Sequence, residues 1–478
     1  MEFISTPKQY IDAVEDAAAS VGKSVSFRGT VHRVRDMSDF AFVVVRVNRG
    51  LIQCMFSGEI DGMTKADIKD GMVVEVSGNV REEPRAEHGF EVVLTSVRIL
   101  SRPAEQIPVP LGKKYLGMTL DAELPLRPIT LRHPRKQAIF RIQAAIADGF
   151  AEYMISQGFT HIHTPKIVSA GAEGGANIFK LDYFGQQAYL AQSPQFYKQY
   201  TAGIFGRVFE IGNVYRAERH NTSRHLNEYI GLDFEMAYID SMYDVMEMET
   251  GMLKYVIEYV QKHCKEELEM LGSKLPVIDK IPTVTFTEAK EIMLEKFGHK
   301  SKNRYDLNPD EEVMMCQWAE ETYGSEFVFV THFPSAKRPF YAMDDAENPK
   351  FALSFDLLFR GLEITTGGQR IHDYHEQVKK LEDRKMDVSL RILPDHAQVR
   401  HAPHGGLGIG LERPAYSCST RRISEVRSAR YDPSGAVNFT PIQNPLASSG
   451  FFVTCDHWSA LARACDTQSS HNRHFRFL

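Results

Sequence analysis

The sequence lacks the features that mark membrane-spanning, secreted and zinc-binding proteins. No apolar run approaches the roughly 18 residues that a membrane helix needs, and the N-terminal MEFISTPKQY has no basic region followed by an apolar stretch. The six cysteines, at positions 54, 264, 316, 418, 455 and 465, form no CxxC motif and no close Cys/His spacing. We therefore expect reduced thiols in a cytoplasmic protein with no membrane segment.

Charge of one sign is also lacking, because the net charge is only −6 over 478 residues. This excludes a protein that coats nucleic acid indiscriminately, although a local basic patch could still bind RNA. The hydrophobic content of 43% and the charged content of 25% are ordinary for globular proteins and argue against disorder. A chain of this length is expected to form two or three domains.

Five strand-like runs separated by turn signals lie between residues 24 and 100, namely SVSFRGTVHRV, FAFVVVRV, LIQCMF, MVVEVSGNV and FEVVLTSVRIL. Their number and spacing predict a small barrel of the oligonucleotide-binding (OB-fold) type in residues 1–103. A proline-rich linker follows at 104–133. In residues 134–413 helices alternate with antiparallel hairpins, which predicts an α+β domain. Residues 414–478 show no convincing period and form a separate C-terminal segment.

The segment VFEIGNVYRAERHNTSRHLNEYIGLDFEMAY, residues 208–238, has the period of two strands around a charged centre. In its second half Ile230, Leu232 and Phe234 alternate with Gly231, Asp233 and Glu235, which predicts one apolar and one ionic face. We interpret it as a β-hairpin that forms the floor of a site for a charged ligand. Arginine suits a phosphate, because its guanidinium donates two parallel hydrogen bonds. The alternative is a solvated charged loop.

A second candidate is HGGLGIGLER, residues 404–413, where Gly406, Gly408 and Gly410 fall on one face of an extended run. A strand face without side chains could admit a flat ring close to the backbone. No Lys-Ser/Thr pair follows, so this is not a Walker loop. The alternative is a glycine-rich strand packed against another backbone.

Other candidates carry charges in short segments. Asp356 and Glu363, in a probable hairpin, could hold Mg²⁺ against phosphate oxygens, although two such carboxylates could equally be surface residues. Arg370 could reach a carboxylate. Gln195 and Lys198 present an amide and an ammonium at helical spacing, or merely begin an exposed helix. SAGAEGGANIF, residues 169–179, is typical of a mobile lid that binds an amine.

The order of these features resembles the class II aminoacyl-tRNA synthetases. GFTHIHTPKI, with Pro165, resembles the first signature motif of that class, the hairpin the second, and GLGIGLER the third. EGGANIF, QSPQFYKQ, YRAERHNTSRHLNEY, LDFEMAY, RPFYAM, SFDLLFRGLEI and GGQRIHDY resemble the aspartyl-tRNA synthetases of the archaeal and eukaryotic type, over about residues 20–390. The resemblance implies an antiparallel class II sheet with flanking helices in the catalytic domain, an anticodon-binding barrel, and a homodimer.

The resemblance also implies the substrates and their contacts. Such an enzyme joins L-aspartate to ATP and transfers the aspartyl group to tRNA-Asp, with Mg²⁺ accompanying ATP. Arg216 and Arg413 would be the catalytic cations at the phosphates. The implied ATP-binding residues are Arg216, Glu218, Arg224, His225, Tyr229, Glu363, Gly410 and Arg413, and the implied metal ligands are Asp356 and Glu363.

For aspartate, the resemblance implies that Lys198 and Arg370 receive the side-chain carboxylate. Asparagine would leave these two cations underpaired in a desolvated pocket, which costs several kcal/mol. The implied aspartate-binding residues are Glu173, Gln195, Lys198, Asp233, Thr366 and Arg370.

In the barrel, the resemblance assigns Phe27 to stacking on an anticodon base, against the alternative of a core aromatic. The implied tRNA-binding residues are Phe27, Arg28, His32, Gln53, Pro84 and Glu91. His32 and Pro84 match family members that also charge tRNA-Asn, which motivates a hypothesis of relaxed tRNA choice.

Residues 390–401 and 414–478 depart from the family pattern. A local shift of reading frame or a diverged tail would each explain the departure. We expect Pro414 to disrupt the helix that follows the third motif. The rival functions are an asparaginyl- or lysyl-tRNA synthetase, a non-catalytic RNA-binding paralogue and a synthetase-like asparagine-forming enzyme.

Overall fold

The computed structural model describes residues 10–169, 171, 178–218, 226–386 and 402–419. They form an N-terminal β-barrel and a larger α+β unit built on an eight-stranded sheet, which confirms the predicted fold class. Within these residues no helix is both long enough and apolar enough to cross a membrane.

The barrel contains a short helix and five strands that close in the order β1-β2-β3-β5-β4. Their bounds are α1 Val14–Ala18, β1 Ser24–Asp36, β2 Phe40–Arg46, β3 Leu51–Ser57, β4 Val73–Glu82 and β5 Phe90–Ser101. Along β2 and β3, buried side chains alternate with partly exposed ones, as a closed sheet requires.

Phe27 is fully buried among the apolar side chains that fill the barrel. Its neighbours in this core include Val25 on the same strand and Val76 on β4, whose backbone is the cross-strand partner of Phe27. A ring enclosed in this way cannot stack on a base. The assignment of Phe27 to anticodon stacking is therefore wrong, and the core-aromatic alternative is correct.

The linker carries two short helices, α2 Leu120–Glu123 and α3 Arg127–Thr130, and it packs against the barrel. Arg46 of β2 donates to the carbonyl oxygen of Arg132 at 2.8 Å, and Arg33 of β1 to that of Gly112 at 3.1 Å. His32 is buried at this junction, where burial lowers its pKa to about 4 and Leu111 provides a backbone hydrogen bond. The prediction that His32 contacts tRNA is therefore wrong.

The second unit begins with a long helix and continues with alternating strands and helices. Its elements are α4 Pro134–Ser156, β6 Thr160–His161, β7 Ile167–Val168, β8 Lys180–Tyr183, β9 Gln186–Leu190, α5 Gln195–Phe205, β10 Arg207–Tyr215, β11 Glu228–Ala237, α6 Met242–His263, α7 Lys265–Leu271, β12 Thr283–Thr285, α8 Phe286–Phe297, α9 Pro309–Tyr323, β13 Phe327–Thr331, β14 Ser354–Phe359, β15 Leu362–Gln369, α10 Tyr374–Asp383, β16 His404–Gly410 and α11 Glu412–Ser419. The large sheet has the order β12-β13-β14-β15-β16-β11-β10-β6. Only the end pairs β12/β13 and β10/β6 are parallel.

The hairpin predicted in residues 208–238 is confirmed as β10 and β11, which pair from Arg207/Met236 to Tyr215/Glu228. Leu232 and Phe234 face the main core, together with residues of α4 and α6. The alternation ends with the strand, since Tyr238 has a φ of 62° and is 78% exposed instead of joining the apolar face. The polar face of the same sheet is left for the site.

Pro414 lies within the first turn of α11, where a backbone N–H has no helical partner to lose. The expectation that Pro414 disrupts this helix is therefore wrong. Ala415 and Cys418 on the helix are buried in the main core. Of the two segments that depart from the family pattern, 390–401 and 414–478, the first and residues 420–478 of the second lie outside the described residues.

Candidate active site

The glycine-rich strand β16 lies beside β11 with its three alternate glycines opposite polar positions. The pairs are Gly410 with Gly231, Gly408 with Asp233, and Gly406 with Glu235. Directly paired residues point to the same face of a sheet, so the glycines and the two acids share one face. The prediction that the three glycines lie on one face is confirmed.

The acids of β11 use the space that the missing side chains leave. A Cβ at Gly406 would lie 2.2 Å from Oε2 of Glu235, and one at Gly408 would lie 3.1 Å from Oδ1 of Asp233. A Cβ at Gly410 would meet only the ring of Tyr229, at an ordinary 3.5 Å. The expected slot for a flat ring is thus limited to the Gly410 end.

Four charged residues meet at the acidic end of this face, and we call Lys198, Asp233, Glu235 and Arg370 the four-charge cluster. The Lys198 ammonium donates to Oδ1 of Asp233 at 2.9 Å and lies 3.6 Å from Oε2 of Glu235. Nε of Arg370 donates to Oε1 of Glu235 at 3.0 Å. The two cations predicted to receive one carboxylate do converge, but they converge on acids of the protein itself.

Burial and pairing act in opposite directions on the two acids of the cluster. Burial raises the pKa of Asp233, and the nearby Lys198 offsets only part of that rise. Burial would also raise the pKa of Glu235, but the charges of Arg370 and Lys198 outweigh burial and lower it. Glu235 is therefore ionised and holds the two cations together. The sequence indicates Glu235 only as part of the ionic face and does not assign it to the site.

Gln195 begins α5 one turn before Lys198 and is buried, with 3% exposure. Its side-chain Nε2 has no hydrogen-bond partner among the described residues. A buried amide donor without a partner is costly, so a ligand acceptor is expected there. Glu173, also predicted for the aspartate pocket, lies outside the described residues.

The predicted metal ligands lie on the hairpin formed by β14 and β15. Arg360 and Gly361 form its turn with φ values of 50° and 80°, the left-handed pair of a type I′ turn. The register shifts at Leu357/Leu358, and this bulge lets Glu363 and Thr366 share one face. Thr366 accordingly donates to Oε1 of Glu363 at 3.0 Å. Thr366 is thus placed at the metal end of the site.

Asp356 lies opposite Thr366 in the same hairpin and is held by an arginine that sequence reasoning missed. Nη1 and Nη2 of Arg338 donate to the two carboxylate oxygens of Asp356 at 2.9 and 2.7 Å. Burial raises the pKa of Asp356, Arg338 counteracts the rise, and Glu363 adds to it. The RPFYAM motif contained the only sequence signal for Arg338, without any indication of its partner.

The two carboxylates fit a magnesium ion. Asp356 is buried, and the nearby charge of Glu363, whose side chain is 35% exposed, makes its ionisation more costly. A cation would stabilise such a pair of carboxylates, and hard oxygen ligands suit Mg²⁺. Across the described residues no group of three or more His, Cys, Asp or Glu side chains could hold a metal ion. An ion bound here would therefore take its other ligands from water or phosphate, as Mg²⁺ commonly does.

The predicted phosphate-binding arginines also approach this end. Nη1 of Arg413 lies 3.3 Å from Oε1 of Glu363, and the guanidinium of Arg216 lies 5.8 Å from the centre of the Tyr229 ring. The charges of both arginines lower the pKa of Glu363, against a burial effect that would raise it. With its amide oriented so that both of its polar atoms are satisfied, Asn227 donates to the carbonyl oxygens of Glu218 and Arg216 at the base of the loop. Arg224 and His225 lie outside the described residues.

On the barrel, two of the predicted tRNA-binding residues, half-buried Gln53 and buried Glu91, form part of a polar chain that reaches the outer surface at Arg35. Gln53 accepts from Arg35 at 2.7 Å and donates to Glu91 at 3.0 Å. The guanidinium of Arg35 lies 5.3 Å from the ring centre of Phe42, whose ring is half-buried on the outside of β2. Sequence reasoning missed Phe42, because every position of FAFVVV is apolar and periodicity cannot separate the faces.

The other two tRNA candidates lie elsewhere on the barrel. Arg28 pairs with Glu75 at 2.7 Å and stacks on Tyr10 with its guanidinium carbon 4.5 Å from the ring centre. Pro84 is exposed in the connection between β4 and β5. The structure therefore groups Gln53 and Glu91 but does not group Arg28 or Pro84 with them.

Comparison with known proteins supports this arrangement. Residues 119–428 match the family described as tRNA synthetases class II (D, K and N), and residues 25–100 match the OB-fold nucleic acid binding domain. The chain is 42% identical over 427 residues to the aspartate–tRNA(Asp/Asn) ligase of Deinococcus radiodurans, a match that covers 88% of this chain and 96% of that relative.

Two solved structures show the same architecture. The aspartyl-tRNA synthetase of Entamoeba histolytica superposes with a TM-score of 0.77 at 28% identity, covering 90% of this chain and 94% of that one. The asparaginyl-tRNA synthetase of Pyrococcus horikoshii complexed with asparaginyl-adenylate gives 0.78 at 26% identity, covering 86% and 95%. With its barrel, its glycine-rich strand and its charged sheet face, the chain belongs to the class II tRNA synthetases of the D, K and N family.

Proposed function

We propose that this protein is an aspartate–tRNA ligase of the archaeal and eukaryotic type. It activates L-aspartate with ATP, releases pyrophosphate and transfers the aspartyl group to tRNA-Asp in the cytoplasm. The four-charge cluster beside the glycine-rich strand is the observation that carries the proposal, because it is built for a small ligand with charges of both signs. The identity of 42% to a relative named for aspartate supports the same substrate.

Amino-acid choice follows from the charge balance of the cluster. Two cations and two acids cancel, and the ammonium and side-chain carboxylate of aspartate also cancel, so the buried pocket stays neutral while the α-carboxylate of aspartate faces the α-phosphate of ATP. Asparagine would add an ammonium without the matching carboxylate. An uncompensated buried charge costs several kcal/mol, which is enough for strong discrimination. Asp233 and Gln195 face the ammonium in this scheme, and Lys198 and Arg370 face the carboxylate.

No side chain needs to act as a covalent nucleophile in the activation step. Arg216 and Arg413 hold the phosphates, orient the α-phosphate toward the aspartate carboxylate and stabilise the charge that develops there. Asp356 and Glu363 would hold Mg²⁺, which when bound neutralises charge on the phosphate oxygens. Tyr229, beside Gly410, provides a ring against which adenine stacks, and Glu218 receives its amino group.

For tRNA we propose that Arg35, Gln53 and Phe42 form the anticodon-binding face, with buried Glu91 accepting from Gln53 and orienting it. A partly exposed aromatic next to hydrogen-bonding side chains is how barrels of this type bind unpaired bases. The relative from Deinococcus radiodurans is named for both tRNA-Asp and tRNA-Asn, so tRNA-Asn is a second substrate to test. With His32 buried, the hypothesis of relaxed tRNA choice rests on that relative and on Pro84.

Aspartate-dependent exchange between ATP and pyrophosphate tests the proposal, with asparagine and lysine as comparison substrates. We expect exchange with aspartate alone. Exchange with asparagine would identify an asparaginyl enzyme, and no exchange with any amino acid would favour the non-catalytic paralogue. Charging of tRNA-Asp and tRNA-Asn transcripts with aspartate then decides the tRNA choice.

We further propose a homodimer formed through the apolar surface at the end of α5 and β11. Ile204 is 67% and Phe205 55% exposed, and the hydrogen bond from Ala237 N to Gly206 O brings Tyr238 beside them. Exposed apolar groups that lie together commonly mark an interface. Sedimentation analysis should give a dimer for the full chain and a monomer for Tyr238→Glu. A monomeric full chain would contradict the proposal.

A further inference from the structure

Arg338 is held firmly at the metal end of the site by elements that have no other part in it. Its segment lies between β13 and β14, under helix α10. Nη1 of Arg384 donates to the carbonyl oxygen of Arg338 and Nη2 to that of Ser335, both at 2.7 Å. The backbone of Arg338 is therefore fixed from the far side of the site.

The Arg338 side chain is buried and faces the carboxylates. Its guanidinium lies 3.8 Å from the centre of the Phe333 ring and makes the two parallel hydrogen bonds to Asp356, with 10% of the side chain exposed. Asp306 on the loop before α9 adds a further negative charge that acts on both Arg338 and Asp356. Arg338 thus neutralises a group of acids that would otherwise repel one another.

We propose that Arg338 is the resident counter-ion of Asp356, and that it competes with the divalent metal ion for the carboxylate oxygens. This rests on the proposed role of Asp356 and Glu363 as metal ligands. The guanidinium already donates hydrogen bonds to both oxygens of Asp356. A metal ion must therefore displace at least one of these hydrogen bonds or approach the carboxylate from a less favourable angle. Metal ions therefore bind weakly to the free protein and enter with ATP, whose phosphates supply the missing ligands. Arg338 is in this sense a positioning residue that couples metal binding to nucleotide binding.

Mn²⁺ binding, followed by electron paramagnetic resonance on the full chain, tests this without any turnover. Three proteins are compared, the unaltered chain, Arg338→Met and Arg360→Met, each with and without a non-hydrolysable ATP analogue. Arg360 is the matched control, because it lies in the turn of the same hairpin and its partners, Glu326, Lys274 and Ser417, include no proposed metal ligand. Arg338→Lys is added as a variant expected to fold normally, since it keeps the positive charge but cannot donate two parallel hydrogen bonds to the carboxylate.

The free Arg338→Met protein should bind Mn²⁺ about 10- to 100-fold more tightly than the unaltered chain, the range expected for losing a competing charge-assisted hydrogen-bond pair. Arg338→Lys should lie between the two, and Arg360→Met should match the unaltered chain. The melting temperature of Arg338→Met should fall in EDTA and recover with Mn²⁺.

Unchanged or weaker Mn²⁺ binding by both Arg338 variants would overturn the inference, because Arg338 would then support the metal ligand instead of competing for it. If the unaltered chain binds no Mn²⁺ even with the ATP analogue, the proposed metal site itself fails. The two failures are thus distinguishable.

Discussion

Lys198 shows how closely one buried charge ties the aspartate pocket together. It donates to Asp233 and to the carbonyl oxygen of Leu407, and only 3% of its side chain is exposed. Glu235 in turn bridges Lys198 to Arg370. The charged residues of the pocket are therefore paired with one another, and substrate binding replaces some of these ion pairs with ion pairs to the substrate.

We predict that Lys198→Met lowers aspartate-dependent exchange by at least about 100-fold, because breaking a buried ion pair costs about 3–5 kcal/mol. The affinity for asparagine, measured by its inhibition of this exchange at high concentration, should not fall in proportion, since asparagine gains nothing from the lost cation. Lys290→Met is the matched control, as it breaks a 2.9 Å pair with buried Glu311 away from the site. Equal losses for both amino acids would contradict the charge-balance argument.

Glu249 offers a second prediction at the scale of one residue. It is fully buried on α6 and accepts a hydrogen bond from Thr365 at 2.6 Å, behind the strand that carries Glu363. Burial raises its pKa to about 8, from an ordinary 4.5. The folded protein thus keeps a proton that the unfolded chain releases above about pH 4.5. Stability from this group is complete below that pH and is lost as the pH rises toward 8.

Glu249→Gln removes this titration, so the stability of the variant relative to the unaltered chain should rise between pH 5 and pH 8. Chemical unfolding at several pH values measures the difference. Glu247→Gln, an exposed acid on the same helix, is the control. A difference for Glu249→Gln that stays constant with pH would show that the carboxyl is ionised in the folded protein.

At the scale of elements, the glycines of β16 have different roles, because different groups pack over each of them. A Cβ at Gly406 would meet Glu235 and the carbonyl oxygen of Phe234 at 2.2 Å, whereas a Cβ at Gly410 makes only an ordinary contact. We predict that Gly406→Ala lowers the stability by about 1–3 kcal/mol, the cost of overpacking. Gly410→Ala should keep the melting temperature but raise the KM for ATP. Equal melting temperatures for the two variants would contradict this difference.

Sequence reasoning succeeded where a periodic pattern had a single interpretation. The alternation from Ile230 to Glu235 predicted both faces of β11, because one face was wholly apolar and the other polar. It failed for Phe27, whose alternation with Val25 already indicated the barrel core but was outweighed by the family resemblance. Sequence reasoning missed Arg338, because its contact with Asp356 joins an irregular loop to a strand, and such a contact produces no periodic pattern in the sequence.

The whole molecule joins two separately packed units through polar contacts at the linker. The barrel has its own apolar core, and the large sheet has another. Between them, Arg141 of α4 donates to the carbonyl oxygen of Asn48 at 3.2 Å and pairs with Glu267 at 3.0 Å, while Arg46 reaches Arg132. Because no shared core joins the units among the described residues, changes on the outer face of the barrel should leave the activation chemistry intact.

The last prediction tests this separation with two phenylalanines of the barrel. Phe42→Ala should lower tRNA charging by about 5- to 150-fold, because stacking of one base on an aromatic ring contributes about 1–3 kcal/mol. The same variant should leave pyrophosphate exchange unchanged. Phe27→Ala should instead lower barrel stability by about 3–5 kcal/mol, because its ring fills the core. Charging, exchange and unfolding are measured on both variants. If Phe42→Ala charges tRNA normally, the anticodon binds another face of the barrel; if it also loses exchange, the two units are more tightly coupled than their separate cores indicate.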